Sequence, residues 1–398
     1  MSKHIQRAVQ VQVKTLRNAE VLPYHDLIDG EIVKAALKEE GLRFRVRIYT
    51  PLITLWTFMT QVLDPDHSCR KAVRSLSAFL VSEGQPEISA DTSNYCKARK
   101  RLPLSLIVRL VRKLGELLEG KARGDWLWNG RDVHIVDGSS VSMPDTLANQ
   151  RAYPQPAGQK PGVGFPLARI VAIISLATGA VLDLAIGPSK GKRTGETRLL
   201  RTLLRRMKAE SILLGDRSFA SYFGIAQLLQ RQMDGVFRMH QRRKIDFRRG
   251  RCLGVTDHLV RWQKPRDRPE WMDKATYALM PDEMVVRELR YKVTQAGYRV
   301  HQITLVTTLL DPVAYTSEDL AGLYLKRWSV EVCQADRASK YTLYQPRTHA
   351  HSERTGVVAT GTMEPETPAN RTRRTAMRRL NERLGPPPTR MAGTILFA

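Results

Sequence analysis

The chain has 398 residues, enough for two or three domains with sizeable cores and without disulfide or metal staples. Lys and Arg number 64 against 39 Asp and Glu, a net +25 that suits a polyanion, so nucleic acid is the expected partner. Four scattered cysteines (Cys69, Cys96, Cys252, Cys333) argue against a disulfide framework or zinc ribbon, and no stretch or leader pattern argues for a membrane partner, so a cytoplasmic, nucleoid-associated protein is expected.

Residues 30–122 read as helices, with apolar spacings of three and four in EIVKAALKEEG, PLITLWTFMTQVL, KAVRSLSAFLVSEG and LSLIVRLVRKLGELLE. In SNYCKARKRLP, Lys97, Arg99, Lys100 and Arg101 stand among small and polar residues; a DNA-contacting helix and a solvated face both fit. DVHIVD is β-rich and is expected to end at Asp137 in a Gly-Ser turn. ARIVAIISLA and AVLDLAIG flank Thr178-Gly179 as a hairpin, a Thr-capped helix follows over 194–210, and SILLGD is a strand ending at Asp216. SYFGIAQLLQRQ is helical and GVFRMH a strand. Three strands, helix, strand, helix, strand is the order of a ribonuclease-H-like α/β core, though a generic mixed α/β domain shares it. From 241 to 313 the chain becomes strand-like and aromatic, a β-rich insertion, and TSEDLAGLYLKRWSVEV restarts a helix with Thr316 and Asp319 as a capping box.

Asp137 and Asp216 fall where strands of an open α/β sheet gather ligands. With Leu320 at zero on a helical wheel, Tyr324 falls near 40°, Arg327 near 340° and Glu331 near 20°, one stripe about 60° wide. Three carboxylates can hold two Mg²⁺ ions for phosphodiester cleavage, with Arg327 as a phosphate fork and Tyr324 donating or stacking. A surface pair between Arg327 and Glu331 explains the same spacing.

HIVDGSSVSMPDTLANQRAYPQPAGQKPGVGFPLARIV, LLGDRSFASYF and LYLKRWSVEV resemble the DDE transposases of bacterial insertion sequences, in the insertion-sequence-four family. The spacing Tyr324, Arg327, Glu331 carries that resemblance, which spans about residues 30 to 332. It implies an α/β fold with a ribonuclease-H-like core, interrupted by a β-rich insertion and preceded by an α-helical N-terminal domain. It also implies Asp137, Asp216 and Glu331 as catalytic ligands of two Mg²⁺, with Mn²⁺ able to substitute. Tyr324, Arg327, Lys326 and Arg217 are then expected on DNA, together with the basic residues at 97 and 99–101. Expected domains are 1–125 (helical, DNA-binding), 130–240 (core), 241–313 (insertion), 314–340 (Glu-bearing helix) and 341–398 (basic tail). The implied activity is cut-and-paste DNA transposition on terminal inverted repeats and target DNA, by a homodimer in the DNA complex. Trp262 and Trp328 read as base-stacking candidates, with a buried core role the better reading for each. Gly191, Lys192 and Glu196 match a Gly-Lys and Thr-Gly-Glu pattern that a turn and a helix cap also explain.

The resemblance expects a lysine seven residues after Glu331, but position 338 is Ala, and Lys340 points near 200° on the same wheel. Beyond it the chain is Arg- and Thr-rich, Pro-punctuated and without apolar period, a composition that reads as disorder. A frameshift or truncation near residue 333 accounts for the break, and a divergent DNA-binding tail is the alternative. The competing functions are a housekeeping nuclease and a DNA-binding relic that occupies transposon ends and is able to inhibit intact transposase.

Overall fold

In this computed structural model, residues 28, 30–44, 48–156, 158, 160, 162, 164–191, 194–292 and 302–327 are described. Glu331, Trp328, Cys333, Lys192 and the tail expected over 341–398 lie outside them. The chain divides into two compact units, one reaching to Trp126 and taking in Ala177–Leu184, the other formed by Leu127–Leu176 and the chain from Ala185.

The first unit is built on helices α1 (Gly30–Glu39), α2 (Pro51–Leu63), α3 (Cys69–Ser82), α4 (Ser93–Lys100) and α5 (Leu104–Gly120). Local chemistry sets their starts: the Thr50 hydroxyl accepts from Ile53 N ahead of Pro51, and the Ser68 hydroxyl accepts from Lys71 N. Apolar faces of α1, α2 and α5 meet in a core of Val33, Ala36, Leu55, Met59, Leu106, Leu110 and Leu114. Arg99 turns inward, donating to Gln61 Oε1 at 2.9 Å and lying over the rings of Tyr95 and Phe58, whereas Lys97, Lys100 and Arg101 are exposed. The sulfurs of Cys69 and Cys96, distant in sequence, lie 3.9 Å apart as free thiols.

The second unit is mixed α/β. Its elements in chain order are β1 (Val133–Ser142), α6 (Leu147–Ala152), β2 (Leu167–Ser175), β3 (Val181–Pro188, which begins in the first unit), α7 (Glu196–Leu203), β4 (Ile212–Gly215), α8 (Tyr222–Leu229) and β5 (Asp234–Arg238). Then come β6 (Arg251–Gly254), β7 (Asp257–Gln263), α9 (Lys274–Ala278), β8 (Glu283–Lys292), β9 (Gln302–Thr307) and a last helix, α10, described over 317–327. The nine strands make one sheet in the order β3-β2-β1-β4-β5-β9-β8-β7-β6. β1, β4 and β5 run parallel, while β2 is antiparallel to β1 and β9 to β5. β4 lies inside this sheet with all four residues buried, which suits its continuous apolar run Ile212-Leu213-Leu214.

Two local expectations are corrected. β1 does not end at Asp137: it continues through Gly138 to Ser142, because nine pairs with β2, from His134 with Ser175 to Ser142 with Leu167, hold the Gly-Ser segment extended. The helix expected over 194–210 spans only Glu196–Leu203 before a 3-10 turn, and its cap is Gly195, since the Thr194 hydroxyl donates instead to the Gly191 carbonyl at 3.0 Å.

Candidate functional site at the parallel strand ends

β1 and β4 pair with a constant offset, Val133 with Ile212 through Ile135 with Leu214. Two residues beyond that last pair stand Asp137, still within β1, and Asp216, just past the end of β4. The β4–β5 register, Ile212 with Asp234 through Gly215 with Phe237, is followed one residue on by Asp216 and by Arg238. Asp137, Asp216 and Arg238 therefore form a strand-end row in register, each just past the last parallel pair of its strand. Asp137 is not a strand-end residue of β1 itself; it stands two residues past the last pair that β1 makes with β4.

The segment after β4 fixes Asp216. Its Oδ1 accepts from the Ser218 amide at 2.8 Å and from the Ser218 hydroxyl at 2.6 Å, a local turn that orients the carboxylate. Asp137 Oδ1 accepts from the Gly138 amide at 3.0 Å. A third carboxylate joins them. Glu196, in the first turn of α7, has Oε2 3.3 Å from the Ser218 hydroxyl and Oε1 3.9 Å from Arg169 Nε on β2. Ser218 has one hydroxyl hydrogen, and the shorter contact assigns it to Asp216. Gly138 leaves room for Glu196: a Cβ there would lie 2.6 Å from Glu196 Cδ.

At the start of α10 the Thr316 hydroxyl accepts from the Asp319 amide at 3.1 Å, the cap half of the expected capping box, and donates to the Asp319 carboxylate at 2.7 Å in place of the reciprocal backbone bond. Tyr324 and Arg327 share a stripe, as the wheel placed them, but it is a buried stripe. Tyr324 is fully buried and Arg327 is 4% exposed, because Leu320 and Leu323 carry that face inward, while Lys326 is exposed. The Arg327 guanidinium lies 5.3 Å from the centre of the Tyr324 ring. Burial pushes the Tyr324 phenol above its ordinary range; Arg327 and Arg238 oppose the shift and Asp216 adds to it. Arg217 is exposed and donates to Gln241 Oε1 at 3.0 Å. Trp262 is buried, with its indole N–H donating to Glu288 Oε1 at 2.8 Å and the Arg243 guanidinium 3.5 Å from its ring centre.

Arg238, Ser218 and Arg169 escaped sequence reasoning, which left Glu196 open. The available signal was positional: Arg238 closes a strand as Asp216 follows one, and Ser218 stands two residues after an aspartate. The two aspartates offer hard oxygen donors that fit Mg²⁺ in kind. Among the described residues, no group of three or more His, Cys, Asp or Glu side chains is placed to hold a metal ion, and Glu331 lies outside them.

Fold and site define a mixed α/β protein with a large sheet whose carboxylates gather where parallel strands end, flanked by arginines. The chain belongs to the transposase DDE domain family, whose model matches residues 128–340, more than half of its length. DNA transposition is the general activity of that family, through nuclease and strand-transfer chemistry that uses divalent metals. No curated protein matches the chain. Among solved structures, a piggyBac transposase synaptic complex with hairpin DNA is similar over 79% of this chain and 67% of that chain, at 12% identity and a TM-score of 0.36. A likeness that distant carries no argument about this fold or site. Among the described residues, no helix is long and apolar enough to cross a membrane.

Proposed function

We propose that the chain is a cut-and-paste transposase of the insertion-sequence-four kind, with a ribonuclease-H-like core formed by β1 to β5 and a β-rich insertion carrying β6 to β9. The observation that carries this reading is the β1–β4 register, whose last pair, Ile135 with Leu214, is followed two residues on by Asp137 and by Asp216. The strand order β3-β2-β1-β4-β5, with β2 antiparallel to β1, supports the core assignment.

Asp137 and Asp216, with Glu331 as third carboxylate, would hold two Mg²⁺, with Mn²⁺ able to substitute. When bound, these ions supply Lewis acidity to the attacking and leaving oxygens of an in-line displacement. The residues around them orient and balance charge. The Ser218 amide and hydroxyl hold the Asp216 carboxylate, Glu196 braces the Gly138 segment, and Arg169 and Arg238 offset the negative charge of the row. Arg327 presents a guanidinium with little solvation to a phosphate that enters the centre, while Arg217 and Lys326 meet the backbone further out. Lys97, Lys100 and Arg101 give the helical unit an exposed basic edge for the terminal repeats, and a homodimer brings two ends together.

The test is cleavage of DNA carrying the sequences that flank the gene, with Mg²⁺ or Mn²⁺, against EDTA and Asp137→Asn. Cuts at the element boundaries that need metal and vanish in the variant are expected. Binding at the boundaries without cutting would overturn the catalytic reading and leave a DNA-binding relic.

A further inference from the structure

α10 carries the buried pair Tyr324 and Arg327, and its start is held by residues of β8, β7 and the chain before β1. Arg287 on β8 is 1% exposed. Its Nε donates to Asp257 Oδ1 at 2.8 Å and its Nη2 to Asp257 Oδ2, while Nη1 donates to the Tyr315 carbonyl at 2.6 Å. The Ser317 hydroxyl, in the first turn of α10, donates to the same Asp257 carboxylate at 2.8 Å. From the other side, the Tyr315 ring stacks on Trp128 with centres 5.6 Å apart, and Arg131 donates to the Tyr315 hydroxyl at 3.2 Å.

A buried ion pair of this kind is a poor device for stability alone, because desolvating both partners offsets most of their attraction and an apolar pair of similar size would serve as well. What a guanidinium fork adds is direction: planar, bidentate on Asp257 and with a further donor on a backbone carbonyl, it permits one orientation of the 315–317 turn. We propose that Arg287 is a positioning residue for strand cleavage, which sets the angle of α10 and thereby the place of the buried pair Tyr324 and Arg327. The proposal rests on the transposase reading for its consequence, though not for its geometry. Tyr324 stands seven residues beyond Ser317, about 10 Å along the helix, so a tilt of about 5° moves it by about 1 Å. A misplacement of about 1 Å at a reacting centre is enough to cost about a hundredfold in rate. Lysine keeps the charge of Arg287 but cannot span Asp257 and the Tyr315 carbonyl together.

Hydrogen exchange on the full chain tests the geometry without DNA. In Arg287→Lys the amides of 321–327 should exchange at least tenfold faster than in the unsubstituted protein, and in Ser317→Ala by a smaller factor, with β4 unchanged in both. Unchanged protection of α10 would overturn the proposal, and so would a rise in β4 of equal size, which marks a merely structural role. Single-turnover cleavage at saturating DNA adds the functional readout. Arg287→Lys should cut at least tenfold more slowly with an unchanged Kd for DNA, and combining it with Tyr324→Phe should cost no more than the worse single variant; multiplicative losses would overturn it. If the unsubstituted chain cuts no DNA while the α10 exchange behaves as expected, the transposase reading fails and the positioning of α10 by Arg287 stands.

Discussion

Gly138→Ala separates the place of Glu196 from the stability of the fold. The new methyl would sit 2.6 Å from Glu196 Cδ and 2.8 Å from its Oε1, and ordinary contact begins at 3.4 Å, so the carboxylate must retreat by about 0.8 Å (3.4 − 2.6). The obstacle is the far end of a flexible side chain rather than backbone, and Gly138 is not among the residues with positive φ, so the strand accepts alanine. In retreating, Glu196, which is about a third exposed, gives up a 3.3 Å approach to the Ser218 hydroxyl and a 3.9 Å approach to Arg169. Interactions of that kind are worth about 0–1 kcal/mol, and alanine for glycine in an extended segment returns about 0.4–1 kcal/mol through the unfolded chain. Stability should therefore stay within about 1 kcal/mol of the unsubstituted protein in urea unfolding. Cleavage should fall about 10- to 100-fold, the usual loss when a group supporting a metal ligand moves. The double variant Gly138→Ala with Glu196→Ala should cut no more slowly than Glu196→Ala alone. Cleavage at the unsubstituted rate would refute the role given to Glu196, and a loss of several kcal/mol would refute the claim that only a side-chain end stands in the way.

Other substitutions and conditions give sharper losses. Gly215→Ala, one residue before Asp216, drives a methyl to 2.8 Å from Val136 Cγ1 and 3.1 Å from Phe237 Cδ1 in the packed sheet, so urea unfolding should show a loss of about 1–3 kcal/mol. Gly250→Ala combines φ of +77° with a methyl 2.0 Å from the Leu259 carbonyl oxygen, and should cost about 2 kcal/mol or more, with little soluble protein recovered. Burial raises the phenols of Tyr95 and Tyr324 above the ordinary value of 10.0, so the folded state holds those protons more tightly than the unfolded chain. Their contribution to stability is present in full below about pH 10 and is lost as pH rises from there through the folded values. Ultraviolet titration should show late-ionising tyrosines coming up together with unfolding, and Tyr324→Phe should remove part of that alkaline loss; titration of all tyrosines near pH 10 in a still folded protein would contradict this.

Much of the fold could be read from residue patterns because the competing signals were local. Thr316 with Asp319 and the apolar run of β4 each act within a few residues, and the helix start and the strand stand where they were expected. Where the reading failed, a distant partner decided. GSSVS after Asp137 carries every local mark of a turn, yet pairing with β2 keeps it extended, since a ladder of nine pairs outweighs the weak preference of Gly and Ser. Thr194 was expected to cap α7, but the helix begins one residue later, with Gly195 at the cap, and the Thr194 hydroxyl donates to the Gly191 carbonyl. Helical spacing showed which residues of α10 share a stripe without showing which way the stripe turns; Leu320 and Leu323 settled that, and their burial took Tyr324 and Arg327 in with them.

The parts of the site hardest to foresee are those whose chemistry depends on something missing or misplaced in the local pattern. Glu196 reaches the strand-end row only because residue 138 has no Cβ, a condition that no motif around Glu196 encodes. Arg287 stands in MVVRELRY between Val286 and Glu288, where no local signal marks a cation for burial. It is instead the largest fully buried side chain among the described residues, and only the distant partners Asp257, Tyr315 and Ser317 make its burial possible. A carboxylate that needs an absent side chain and a cation that needs remote acceptors are both properties of the tertiary structure. Their substitution effects are thus the measurements that bear most directly on whether the strand-end row works as a catalytic centre.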